Sequence, residues 1–216
     1  MAPVTVAKRA KLLLADDHAL VAAGLAKLLQ EDFDLVATTC NGREVLETIE
    51  RSRPEVVVLD ISMPELNGLE TARRLRKTAP GIKIVFITVH SDLAYAAAAF
   101  RAGASGFVLK GSAVSELGAA INAVLRGETF LTSLVDRESL DAVLQQPEQR
   151  SPLTRRQQEV LQLVAEGHSA KDIGDNLNIS SKTVEFHKSL IMKRLNLHSV
   201  AQLTRYAIEH GIANSN

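Results

Sequence analysis

Up to about residue 126, short apolar runs alternate with amphipathic stretches. The runs fall at 11–16, 34–39, 55–60, 82–88 and 105–110. Between and after them, apolar residues recur at three- and four-residue spacing, as in Leu25, Leu28, Leu29 and in Leu69, Ala72, Leu75. This predicts helices at roughly 18–30, 41–52, 67–78, 92–101 and 113–126. The run Val56, Val57, Val58, Leu59 does not alternate and is mostly β-branched, the mark of a strand buried on both faces. Five strand–helix units in sequence predict an α/β domain, a doubly wound five-stranded parallel sheet with helices on both sides.

Beyond residue 127 the pattern changes. Residues 133–144 fit a linker helix. The polar stretch at 145–152 carries Pro147 and Pro152 and reads as a linker. After Pro152 the period is helical throughout. Thr154, Ser169, Ser180 and Ser199 each precede a helical run as candidate N-caps, which predicts four helices at 155–166, 170–177, 181–195 and 200–210. The expected domains are therefore 1–128, a linker at 129–152, and an all-α four-helix domain at 153–216.

Composition narrows the class. Of 216 residues, 46% are hydrophobic and 23% charged, as in ordinary globular proteins. Cys40 is alone, so no disulfide framework forms within the chain, and a reducing cytoplasm is the expected compartment. The N-terminus lacks a signal-peptide core, and no apolar run is long enough to span a bilayer, so no membrane role is expected. Formal net charge is zero, but residues 151–216 hold 8 basic against 6 acidic side chains, a bias that permits an anionic partner without requiring one.

The chemistry gathers at the strand ends. The first run ends in Asp16 and Asp17, the third in Asp60, the fourth in Thr88 and the fifth in Lys110. In a parallel sheet these tips share one edge. Clustered carboxylates repel, and a hard divalent ion such as Mg2+ relieves them while accepting phosphate oxygens. A carboxylate nucleophile, an ammonium and a hydroxyl complete a set for handling phosphoryl groups. Capping of the first helix by Asp16 and Asp17, capping of a loop by Asp60, and solvated strand ends at Thr88 and Lys110 account for any one of these residues, but not for all five at the right ends of their strands.

Residues 11–126, through LLLADDH, VVLDISMPELNG, IVFITVH and GFVLKGS, resemble the receiver domain of two-component response regulators. The resemblance implies a flavodoxin-like fold and a phosphoryl group accepted on Asp60 from a sensor histidine kinase. It implies Mg2+ held by Asp17, Asp60 and the Ser62 carbonyl, with Asp16 acting through water. Thr88 and Lys110 would contact the phosphoryl oxygens. Phe107 stands where the family has its switch aromatic; it is either that switch or plain core.

In the C-terminal part, AKDIGDNL, NIS and SKTVEFHKSLIMKRL form two helices joined by a short turn, a helix-turn-helix arrangement. Preceded by LTRRQQEVLQLVAEG, the segment resembles the DNA-binding domain of the NarL/FixJ (LuxR-type) regulators. The second helix would enter the major groove of promoter DNA. Ser181, Lys182, Thr183, His187 and Lys188 are its candidate contacts, while Glu185 either accepts from a cytosine or faces solvent. Val200, Leu203 and Ala207 form a small apolar stripe, which the resemblance places at a dimer contact; inward packing is the alternative for any one of them.

The expected protein is a phosphorylation-controlled transcription factor and not an enzyme. It would form homodimers when phosphorylated, with RNA polymerase a compatible partner. A haloacid-dehalogenase-type phosphatase needs an acid two residues after its nucleophile, where this chain has Ser62. A lactone-sensing regulator needs an aromatic pocket, and this chain has no Trp and two Tyr. A receiver that signals without phosphate has no need of the intact acid set.

Overall fold

The computed structural model describes residues 9–147 and 151–213. Positions 148–150 of the polar stretch at 145–152 lie outside them, as do 1–8 and 214–216. The strands are β1 (Lys11–Ala15), β2 (Asp34–Thr39), β3 (Val56–Asp60), β4 (Lys83–Thr88), β5 (Gly106–Leu109) and β6 (Phe130–Leu131). Helices α1 (Ala19–Leu29), α2 (Gly42–Ser52), α3 (Gly68–Thr78), α4 (Leu93–Ala102) and α5 (Ala113–Leu125) alternate with the first five. The order across the sheet is β2-β1-β3-β4-β5-β6, and every pairing is parallel.

Successive strand residues point to opposite faces, and the two cores divide accordingly. Leu13, Val57, Leu59 and Phe86 pack under α2, α3 and α4. Leu12, Leu14, Val56, Val58 and Ile87 pack under α1 and α5. Strand order reverses between β1 and β3, so the crevice forms beyond the carboxyl ends of those two strands. β6 is one strand more than the pattern predicts. It is two residues long and exists through pairing of Phe130 with Gly106 and of Leu131 with Phe107, so it leaves no periodic trace.

Helix α6 (Arg137–Gln145) packs against α4, with Leu140 buried in the core of the first unit, and α7 (Arg155–Ala165), α8 (Ala170–Leu177), α9 (Ser181–Leu195) and α10 (Val200–Glu209) form the second unit. All four expected caps are in place. Thr154, Ser169, Ser180 and Ser199 accept from the backbone N–H of Gln157, Asp172, Thr183 and Gln202 at 3.3, 3.2, 3.1 and 3.2 Å. Val160, Leu161, Ile173, Val184, Ile191, Leu203 and Ala207 make its core. No described helix is long and apolar enough to cross a membrane.

One glycine is fixed by close approach. A Cβ on Gly68 would overlap the Asp60 carbonyl, because the first turn of α3 lies against the end of β3. Gly-to-Ala changes in a helix ordinarily stabilise by about 0.5–1 kcal/mol. Gly68→Ala should do the opposite and destabilise by about 1–3 kcal/mol, the usual cost of overpacking. Urea unfolding measures this, and a stabilised variant would mean that the α3 start is not held against β3.

Candidate functional site

The strand tips do converge. Asp16 and Asp60 are almost fully buried, and Lys110, in the single turn of 3-10 helix after β5, reaches both. Its Nζ lies 2.7 Å from Asp60 Oδ2 and 2.7 Å from Asp16 Oδ2. Asp16 Oδ1 accepts from the His18 N–H at 2.9 Å, and Asp17 Oδ1 lies 2.8 Å from His18 Nδ1. Ligand atoms of Asp16, Asp17, His18 and Asp60 all fall within 4.8 Å of one another.

Two carboxylates share one ammonium, and a third, Asp17, lies beside them. Asp16 Oδ2 and Asp17 Oδ1 are buried and receive no aligned hydrogen bond, so both keep acceptor capacity despite their close cationic or imidazole neighbours. Burial, with a smaller push from Asp16, raises the Asp60 carboxyl to about 6, although Lys110 opposes the rise. Burial works against the Lys110 charge as well, but Asp60 and Asp16 outweigh it and hold the ammonium above its ordinary value. An oxygen-rich, charge-deficient pocket of this kind fits a hard divalent cation.

Thr88 ends β4 with its hydroxyl accepting from the His90 N–H at 3.2 Å. The Ser62 N–H donates to Asp60 Oδ1 at 3.4 Å, and the Ser62 hydroxyl lies 3.0 Å from His90 Nε2. His90 stacks on Tyr95 of α4 at 4.2 Å between centroids. Phe107 is fully buried between β4 and β6, which places it in the core. Sequence reasoning missed His18 and His90. His18 directly follows the acid pair, and its position at the end of β1 was a usable signal.

In the helical unit, Ser181 and Lys182 are exposed at the start of α9. The Thr183 hydroxyl is 2.8 Å from that of Ser180. Lys188 Nζ is 3.4 Å from Glu185 Oε1, so these two side chains face the same way and partly cancel. His187 is half-buried, and its Nδ1 is enclosed without a hydrogen bond. Phe186, which the apolar pattern did not single out, is 60% exposed on the same helix. The expected dimer stripe needs correction. Leu203 and Ala207 are fully buried in the helical core, where they fill the space over α7, and of the three only Val200 faces solvent, at 47%.

Residues 12–122 match the response regulator receiver domain, and residues 151–207 match the bacterial regulatory proteins of the luxR family. The chain is a response regulator of the NarL/FixJ type. Family members control transcription and are not enzymes. This regulator is 37% identical over 211 residues to the oxygen regulatory protein NreC of Staphylococcus epidermidis, covering 92% of this chain and 97% of that one. It is similar in structure to the Salmonella typhimurium RcsB response regulator, with TM-score 0.64, 26% identity, and 92% and 96% of the two chains covered. A complex of RcsB with DNA is also similar, with TM-score 0.55, 26% identity, and 92% and 98% covered.

The raised Asp60 carboxyl fixes the sign of a pH effect. The folded, metal-free regulator holds the proton on Asp60 more tightly than the unfolded chain does. The stability from that protonated form is complete below the ordinary carboxylate value of 3.8 and is lost as pH rises through about 6. Asp60→Asn should remove this loss. Metal-free urea unfolding at pH 4 and pH 7.5 should show the variant gaining about 2 kcal/mol on wild type at the higher pH. Parallel pH profiles would refute the burial argument.

Proposed function

We propose that Asp60 accepts a phosphoryl group from the phosphohistidine of a sensor histidine kinase, and that this controls binding of promoter DNA by a homodimer. The observation that carries the reading is the bridging of Asp60 and Asp16 by Lys110 at a charge-deficient strand edge. The Asp60 carboxylate oxygen attacks phosphorus, the P–N bond breaks, and its electron pair returns to the imidazole. Lys110 is free to move from Asp60 to the phosphoryl oxygens, and Thr88 lies at the adjacent strand end to donate its hydroxyl proton to another. Asp17, Asp60 and the Ser62 carbonyl would hold Mg2+, with Asp16 acting through water. The ion supplies charge neutralisation of the transferred group. Unused acceptor capacity on buried Asp16 and Asp17 oxygens supports this donor set.

Residues 1–128 act as the receiver, 129–152 as the linker and 153–216 as the DNA-binding domain, and the protein works in the cytoplasm. Ser181, Lys182, Thr183, His187 and Lys188 of α9 supply the DNA contacts. RcsB, solved with DNA, supports that role for the related domain here. Val200 on the outer face of α10 contributes to the dimer.

Incubation with a small phosphodonor and Mg2+, followed by intact mass, should add one phosphoryl group to wild type and none to Asp60→Asn. Labelling of that variant on another carboxylate would displace the assignment.

On DNA, Lys182→Ala should cost about 1–3 kcal/mol chiefly on the specific site. Lys188→Ala should weaken all sequences alike and lower the salt slope by about one. Equal losses on specific and scrambled duplexes for both variants would make Lys182 another phosphate contact.

A further inference from the structure

Helix α9 carries one large apolar side chain that the helical core does not take. Phe186 is 60% exposed, while Val184 and Ile191 of the same helix are buried in that core. A tilted contact with His187, 6.1 Å between ring centroids, leaves most of the Phe186 ring in water. At 3.6 residues per turn, positions 182, 186, 189 and 193 fall within about 60° of one another around the axis, with 184 and 191 on the opposite side. Lys182, Phe186, Ser189 and Lys193 are all exposed, so they form one outward row, with the ring inside it and a lysine at each end. Glu185 lies at the margin of the row, where its carboxylate is 3.4 Å from Lys188 Nζ.

A single exposed apolar residue is ordinary on a protein surface. The place of this one is not ordinary, because it stands on the outward row of the second helix of the helix-turn-helix. The charges of the row select what covers it. Lysines at both ends are suited to the phosphates that border a groove, and the ring between them then faces the groove floor. The base edges on that floor are hydrogen-bonding groups, with one apolar exception. It is the C5-methyl group of thymine, which apolar side chains such as Phe meet directly.

We infer that Phe186 is a base-reading residue whose ring packs on the C5-methyl group of a thymine in the major groove, a role that rests on α9 being the DNA-reading helix. The ring adds to the polar contacts of this helix one that senses a methyl group and no hydrogen bond. Each half-site then requires a 5-methylated base at one position. Uracil at that position keeps every hydrogen-bonding group of thymine and lacks the methyl, so it isolates the contribution of the ring.

The test uses the full chain, treated with a small phosphodonor and Mg2+, and a duplex that it selects from a random library. Each thymine of that duplex is replaced singly by deoxyuridine. At one position per half-site the replacement should weaken wild type about fourfold, the partition value of one buried methyl group. Phe186→Ala should bind the thymine and uracil duplexes equally at that position. Phe186→Leu, which keeps an apolar side chain, should prefer thymine again. Neither variant removes a charge, so both should keep the wild-type salt slope. Both should also keep the wild-type thermal transition, because the ring lies outside the helical core. A Phe186→Ala chain that still discriminates against uracil overturns the inference, as does a wild type indifferent to every replacement. Loss of dimers without DNA in Phe186→Ala, with the discrimination kept, assigns the ring to a second copy instead. Selection of no duplex by wild type overturns the DNA-reading role of α9, and the role of Phe186 falls with it.

Discussion

The ammonium of Lys110, held between Asp60 and Asp16, is the interaction on which the rest depends. It keeps two buried carboxylates on adjacent strand ends from driving the sheet edge apart, and it does so incompletely. With Asp17 alongside, the pocket is left short of positive charge. That shortage raises the affinity of Asp60 for a proton and equips the same oxygens for a cation and a phosphoryl group. The surrounding architecture serves this compromise. The four buried residues of β3 that precede it hold Asp60 rigid, and the close approach of Gly68 fixes the turn beyond it.

The second domain meets this site through polar contacts whose partners are largely backbone groups of one loop. Hydrogen bonds of this kind contribute about 1 kcal/mol each in net terms and are directional, so small movements of the loop break them. A docking surface built from the Met63 carbonyl, the Glu65 N–H and Asn67 is therefore sensitive to the conformation that follows Asp60. An apolar interface of similar area would tolerate the same movement. Burial of the Glu166 carboxylate at this contact raises its proton affinity, against the hydrogen bonds from Gln162 and the Glu65 N–H.

Much of this was legible in the chain. The non-alternating valines marked a central strand, and the serines and threonine before each late helix marked its start; both are local signals, and both hold. The acid cluster was legible because topology places strand ends together whatever the details of packing. Other features depend on distant partners. β6 exists through its neighbour β5. The apolar stripe of α10 could face either way until the position of α7 was known, and two of its three residues turn inward. Gln162 reads as an ordinary polar position on an amphipathic helix, and nothing within its own segment points to a carbonyl 99 residues earlier. Phe107 is fully buried between β4 and β6, a position its own segment does not reveal.

Burial of Leu203 and Ala207 has a consequence for gene control. With its apolar side committed inward, α10 offers a second copy little beyond Val200 and a polar flank where Arg205 is already paired with Glu209. A contact so small falls well short of the roughly 1,000 Å² that sustains a free-standing complex. Pairs joined there would assemble on the operator and not before it. Occupancy of a two-site promoter would then rise with the square of the active protein concentration, so that a graded stimulus becomes a steep transcriptional response.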